Sequence, residues 1–202
     1  MFKNFLVMAT FLLLAVPAFA QKYAEEPLFG TVDQQITFFN GGTTVQFSNE
    51  FTGALNALQI GVGRITPGPI IRRSATFPIT SGSVELDTLR GEILHSGGLK
   101  LYRGSTVVKL ESFIIDTTGD GIVITGLVSA NGSVVGRIPL FDLTLPAADS
   151  IFAGASRIVI NGVAVTLRPE AAAALNAVFE TEAFTAGFPI GTAAVNGLAF
   201  AS

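Results

Sequence analysis

The chain has 202 residues, 49% of them apolar and 13% charged, with a formal net charge of −3, one His and no Cys. Without cysteine there can be no disulfide, no thiol chemistry and no lipid anchor on a cysteine. The acidic balance, with Arg72-Arg73 as the only basic pair, disfavours a surface that tracks nucleic-acid phosphates, and the high apolar content argues against a disordered chain.

Residues 1–20 read as a cleaved secretory signal: Lys3, an apolar run from Phe5 to Val16, a break at Pro17, and Ala18-Phe19-Ala20 ahead of Gln21. The run is shorter than the ~20 residues a membrane-spanning helix needs, and no later run is long enough. The expected product is exported, to the periplasm, the cell surface or the medium, with no transmembrane helix. Without Lys3 it carries 11 basic and 15 acidic residues, a net of −4. Residues 21–42 read as a polar lead-in. Within it, Val32 to Phe39 fits an edge strand or a helical turn equally well, and Asn40-Gly41-Gly42 is a turn signal. Residues 43–202 read as a single β-rich domain, long enough for an ordinary hydrophobic core.

That domain contains one phrase twice. Val45 to Leu58 is echoed by Val165 to Val178, with Val, Glu, Ala-Leu-Asn-Ala at matching places, and Thr66 to Ile70 is echoed by Thr185 to Ile190. Each copy predicts a strand running into a short amphipathic helix. In the second copy Val163, Val165 and Leu167 alternate with Ala164, Thr166 and Arg168. Pro169 then suits a first helical position, where its missing N–H costs nothing, and Glu170 suits the positive helix end. The expected apolar faces are Phe51, Ala54, Leu55 and Leu58, and Ala171, Ala174, Leu175, Val178 and Phe179. Helices this short need a sheet to dock on. Asn56 and Asn176 suit loop-bonding roles at the helix ends or plain exposure.

Elsewhere the pattern is strand and turn. Residues 106–116 alternate, with Val108, Leu110 and Ile114 on the expected dry face and Lys109 and Glu111 on the wet one. Residues 121–128, 133–145 and 157–160 are β-branched runs. Asn-Gly or Asp-Gly at 40–41, 120–121, 131–132, 161–162 and 196–197 predicts type I′ hairpin turns. Segment 146–156 is the best loop candidate. The expected fold class is mainly β: an antiparallel β-sandwich, two packed sheets, with two short amphipathic helices over its ends or edges. The 17 Phe read first as core filler, although an apolar pocket or a partner surface would use the same side chains.

The segment Gly91-Glu-Ile-Leu-His95-Ser-Gly97-Gly98-Leu99-Lys-Leu-Tyr102 holds the only His and one of two Tyr. Its glycines predict a tight reversal with His95 just before it. His95 and Tyr102 are the candidate ligand-binding residues, since imidazole and phenolate both bind metals or haem; the alternative is a plain hairpin with an exposed His and a half-buried Tyr. This stretch, with Val107 to Asp116 after it, resembles the haem-transport-associated (Htaa) domain of secreted and surface bacterial proteins. The resemblance implies a β-rich haem-binding module with two short helices. It also implies a haem-ligating Tyr on the first helix, supported by a His at the place of His95. Here that helix has no Tyr, and Ala54 stands near the corresponding place.

Catalytic signatures are missing. No Gly-x-Ser-x-Gly, His-Glu-x-x-His or Ser-x-x-Lys occurs. Glu85, Asp87 and Glu92 form only a weak carboxylate cluster, and Asp116-Thr-Thr-Gly-Asp120 has too few oxygens for calcium. The expectation is an exported, non-catalytic binding module for haem or another apolar small molecule, with no metal site of its own. The alternative is a secreted structural or adhesive protein with a protein or surface partner.

Overall fold

The computed structural model describes residues 35–85, 88–147, 150–154 and 156–201. The expected signal segment, residues 1–20, and residues 21–34 of the expected lead-in lie outside them. In chain order the elements are β1 (Gln35–Phe47), α1 (Asn49–Ala57), β2 (Gly61–Ile65), β3 (Ile70–Ile71), β4 (Ser74–Glu85), β5 (Gly91–His95), β6 (Gly98–Arg103), β7 (Thr106–Asp116), β8 (Ile122–Ala130), β9 (Ser133–Thr144), β10 (Ile151–Gly154), β11 (Arg157–Leu167), α2 (Pro169–Phe179) and β12 (Pro189–Ala201). β1 begins inside the expected lead-in. The loop candidate 146–156 contains the short strand β10.

The protein is mainly β with two helices, but its sheet closes into a barrel in place of the expected sandwich. One antiparallel sheet runs β7-β5-β4-β1-β12-β11-β9-β8 and closes where β8 pairs β7. The result is an eight-stranded barrel. Alternation cannot tell the two architectures apart, because a closed sheet also has one dry and one wet face. β1, β4, β9 and β12 each run 12 or 13 residues, and closing the sheet requires such strands to tilt and stagger around a common axis.

Glycine and bulges supply the coiling. At 131–132 the Asn-Gly pair is a hairpin turn with both φ positive, and 120–121 lies in the β7–β8 loop. The other three pairs lie within strands. Gly41 faces Gly197 where β1 crosses β12, and the ring of Phe38 covers Gly197 where a Cβ would sit 2.6 Å from it. Asn161-Gly162 falls at a register shift in β11, between its stretches paired to β10 and to β9. In β7 a register shift between Glu111 and Ile114, with Ser112 at φ 52°, reverses the alternation. Val108 and Leu110 point inward as expected, but Phe113 and Ile115, not Ile114, continue the buried row.

Each of the two similar phrases forms a strand running into a helix. β1 and β11 flank the start of β12 and both run antiparallel to it, with Phe47 opposite Gly191 and Thr166 opposite Pro189. Both helices therefore leave the same end of the barrel. In α1 the Ser48 hydroxyl accepts from Phe51 N at 2.9 Å and donates to the Pro189 carbonyl at 2.8 Å, tying the helix start to β12. α1 buries Phe51 and Leu55, with Ala54 and Leu58 packed alongside. α2 starts at Pro169 and buries Ala171, Ala172, Leu175 and Phe179. Ala174 is exposed, and Ala172 takes the place expected for it. Asn176 holds the following loop through both backbone groups of Phe184, at 2.7 and 3.1 Å.

Candidate functional site

The reversal expected at Gly97-Gly98 is not one. β5 and β6 both run antiparallel to β7 along the same edge, so the chain jogs sideways and continues in the same direction. On the opposite edge β5 pairs β4, whereas β6 pairs β2. The strand thus passes from the barrel wall to a flap made of β2 and β6. The glycines allow the jog. Gly97 has φ +78°, and a Cβ on Gly98 would sit 2.1 Å from the Leu110 carbonyl. His95 is the last residue before this branch.

The branch turns the imidazole into the barrel. His95 is 5% exposed, and its Nε2 lies 2.8 Å from the Thr43 hydroxyl, also buried, on β1. Nδ1 has no hydrogen-bond partner. Burial in these apolar surroundings pushes the pKa down to about 4, against a smaller opposing pull from the backbone of Phe113 and Ile93. The ring is therefore neutral at neutral pH, and one of its two nitrogens is unpaired in either tautomer.

The pair sits in the wall of a cavity of about 470 Å³, open mouth included. Every barrel strand contributes to the lining, and Thr43 and His95 are the polar members. Phe47, Phe77, Phe113 and Phe141 supply aromatic faces, and Val165 and Ile190 close the half nearest the helices. Phe77 and Phe113 meet edge to face at 4.9 Å. Most of that space is open mouth; the enclosed part is about 40 Å³, below the roughly 300–1,000 Å³ of small-molecule sites, although an apolar lining with few polar groups is their usual composition. An eight-stranded barrel can be filled by side chains or hold one small ligand.

Tyr102 does not join His95. It is 43% exposed on the outer face of β6. Its ring lies over Gly61, where a Cβ would be 2.4 Å from it, and the Lys100 ammonium approaches the ring at 5.8 Å. Glu85 and Glu92 are exposed, and Asp87 lies outside the described residues. Asp116 accepts from the Thr118 amide and hydroxyl at 2.8 and 2.6 Å, an ordinary Asx turn. Those bonds hold its carboxyl below the usual range. Among the described residues no group of three His, Asp or Glu could hold a metal ion, and no helix is long and apolar enough to cross a membrane.

Thr43 is the polar partner that sequence reading does not single out. The alternation Thr43-x-Val45-x-Phe47 places it on the dry face, but nothing local marks its hydroxyl as paired to residue 95. The four lining Phe are indistinguishable in sequence from core filler.

The fold is similar to the crystal structure of the C-terminal domain of HtaA from Corynebacterium glutamicum, with a TM-score of 0.62 at 12% identity, covering 81% of this chain and 99% of that one. It is also similar to the domain-swapped dimer of the H434A variant of that domain (TM-score 0.51, 15% identity, 75% and 88% covered). The heme binding protein HtaB from the same organism gives a TM-score of 0.52 at 9% identity, with 84% and 98% covered. A partial resemblance to the Hta domains therefore holds at the level of fold. No protein-family model and no curated protein matches the chain.

Haem is the group these neighbours raise, and the donors of this cavity can be tested against it. The lining suits apolar ring faces. Among the described residues its one candidate axial donor is His95, whose Nε2 is bonded to Thr43 and whose Nδ1 is unpaired; no described Tyr or Met joins the lining. The lining matches a macrocycle in polarity only, and one imidazole is the donor it has for an iron.

Proposed function

We propose that this chain is an exported, non-catalytic binding module that takes an apolar small molecule into its barrel, with haem as the first ligand to test. One observation carries the reading. All eight barrel strands contribute to an apolar cavity whose polar members are the buried pair His95–Thr43. A core needing only stability gains little from a buried imidazole with an unsatisfied nitrogen, because that atom carries a desolvation penalty of ~1–3 kcal/mol. The neighbours' fold, and the heme binding of HtaB among them, support the same reading. The test is a hemin titration followed in the Soret region. A saturable change at about one equivalent, competed by an apolar ring compound, is expected; no change at stoichiometric hemin removes haem as the ligand.

A second reading has its own observation. Phe39 and Phe200 stand 52% and 49% exposed on the outer wall, their rings 5.8 Å apart, with exposed Leu198 two residues along β12. Soluble proteins rarely leave such residues clustered without use. This outer wall would serve adhesion to a protein or surface partner. Concentration-dependent association by light scattering, abolished in Phe39→Ser/Phe200→Ser, supports that reading, and a strict monomer at high concentration removes it.

A further inference from the structure

We infer that the outer face of the flap is a docking surface for an acidic polysaccharide, one that carries carboxylates on its sugar rings. This surface lies outside the barrel and does not depend on what the barrel holds. Beyond the branch at His95 the sheet runs β2-β6-β7-β8-β9. Leu101, Val108 and Val128 are buried on its inner face. Across its outer face one row reads Gly63, Lys100, Lys109, Ser129 and Val134. Lys100 and Lys109 stand directly opposite each other and are both exposed. That register brings their Cβ atoms to ~5 Å, and like charges so placed destabilise a strand pair. No carboxylate relieves them. Among the described residues the ion pairs are both made by Arg168. Glu111, two residues along β7 on the same face, is half-buried and pairs with neither lysine. Arg137, also on this face, is held by the Ser112 carbonyl and the Thr125 hydroxyl. In a chain of net charge −3, this face carries an excess of positive charge.

The side chains around the pair lie flat. The Lys100 stem leans away from Lys109 across Gly63, where a Cβ would sit 2.4 Å from its Cε, and the Tyr102 ring lies across Gly61 in the same way. The ring stays partly exposed, with the Lys100 ammonium 5.8 Å from its centroid. A ring laid on a sheet offers its electron-rich face to the C–H bonds of a sugar, and the two ammoniums beside it donate to carboxylates. The five strands span about 19 Å, four spacings of ~4.8 Å, which suits an extended chain of several sugars. Duplex nucleic acid places one charge per ~1.7 Å of its axis, far denser than a single lysine pair answers. A bilayer calls for side chains that project, whereas Lys100 and Tyr102 lie down on the sheet.

The experiment measures binding of polygalacturonate, neutral dextran and phosphatidylglycerol vesicles to the full chain by titration calorimetry. The expected result is saturable binding of polygalacturonate that weakens as salt is added, with no binding of dextran. Lys100→Gln/Lys109→Gln should weaken it at least about tenfold. Lys109→Glu supplies a second readout. It turns the like-charge pair into an opposite one, so the urea midpoint should rise while polymer binding is lost, a combination that a merely structural role for Lys109 does not give. No binding of polygalacturonate at low salt, equal binding of dextran, binding unmoved by the double substitution, or a preference for the vesicles would each overturn the inference. None of these outcomes touches the hemin titration, so failure of this surface and failure of the barrel reading are told apart.

Discussion

The imidazole of His95 and the hydroxyl of Thr43 meet at 2.8 Å across 52 residues of chain, both side chains buried. They belong to β5 and β1, which do not pair; β4 lies between them, with Thr43 opposite Phe77 and His95 opposite Ile79. The bond therefore spans three strands across the barrel interior. It links the branch point of the sheet to the strand that leads into α1.

The first prediction concerns pH. In the unfolded chain His95 has the ordinary value of 6.5, and in the folded protein it is pushed down to about 4. Between these values the unfolded state binds the extra proton, so stability rises with pH. The contribution is fully present above pH 6.5, is lost progressively as pH falls towards 4, and changes no further below that. The whole effect is about 3 kcal/mol. Denaturant midpoints measured from about pH 4 to about pH 7.5 should show this slope in the wild type and lack it in His95→Gln. A parallel pair of profiles would mean that another group is responsible.

Thr43→Val tests the pair directly. The substitution keeps the volume and leaves Nε2 buried without a partner, at a cost of about 1–3 kcal/mol. Adding His95→Leu removes the stranded nitrogen. The double variant should then be more stable than the sum of the two single changes, with a coupling of ~0.5–3 kcal/mol. Strict additivity in urea unfolding would show that the two side chains act independently.

How much of this can be read from the chain differs by level. Local pattern reveals the two strand-plus-helix segments, because an N1 proline, an alternating strand and an apolar helical stripe are all short-range signals. Residues 106–116 are recognisable as a strand for the same reason, yet simple alternation puts Ile114 on the wrong face. The bulge at Ser112 has no sequence mark, and a single inserted residue inverts everything after it. Barrel closure is hidden because it depends on β7 meeting β8 on one edge and β5 with β6 on the other. The glycines at 41, 162 and 197 look like turns, since positive φ and close backbone approach call for the same residue. His95 stands out as the only histidine, whereas its burial and its bond to Thr43 are products of the tertiary fold.

Two glycines should respond in opposite directions to the same change. Gly126 lies on the inner face of β8, where a Cβ would be 2.6 Å from Leu140 Cδ1 and 3.1 Å from the Phe113 ring. Gly126→Ala should destabilise by about 1–3 kcal/mol through overpacking. Gly53 lies in α1, where an added Cβ would meet nothing within 4 Å. Gly53→Ala should stabilise by ~0.5–1 kcal/mol, because alanine loses less backbone freedom on folding. Thermal or urea unfolding of the two variants side by side provides the check, and shifts of the same sign would show that one of these surroundings is wrong.

Tyr102 separates a structural role from a ligand-binding one. Its ring covers Gly61 on the end strand β2, and its exposure keeps it outside the cavity. The hydroxyl has nothing to do with the apolar interior, so Tyr102→Phe should leave both stability and ligand uptake unchanged. Tyr102→Ala removes a cross-strand ring from a glycine, an arrangement worth ~0.2–1 kcal/mol. It should loosen β2 first, seen as faster amide exchange at Gly61–Ile65, while uptake of an apolar ring compound stays as in the wild type. A ligand affinity that falls with Tyr102→Phe would place the phenol at the site and require the flap to fold over the cavity mouth.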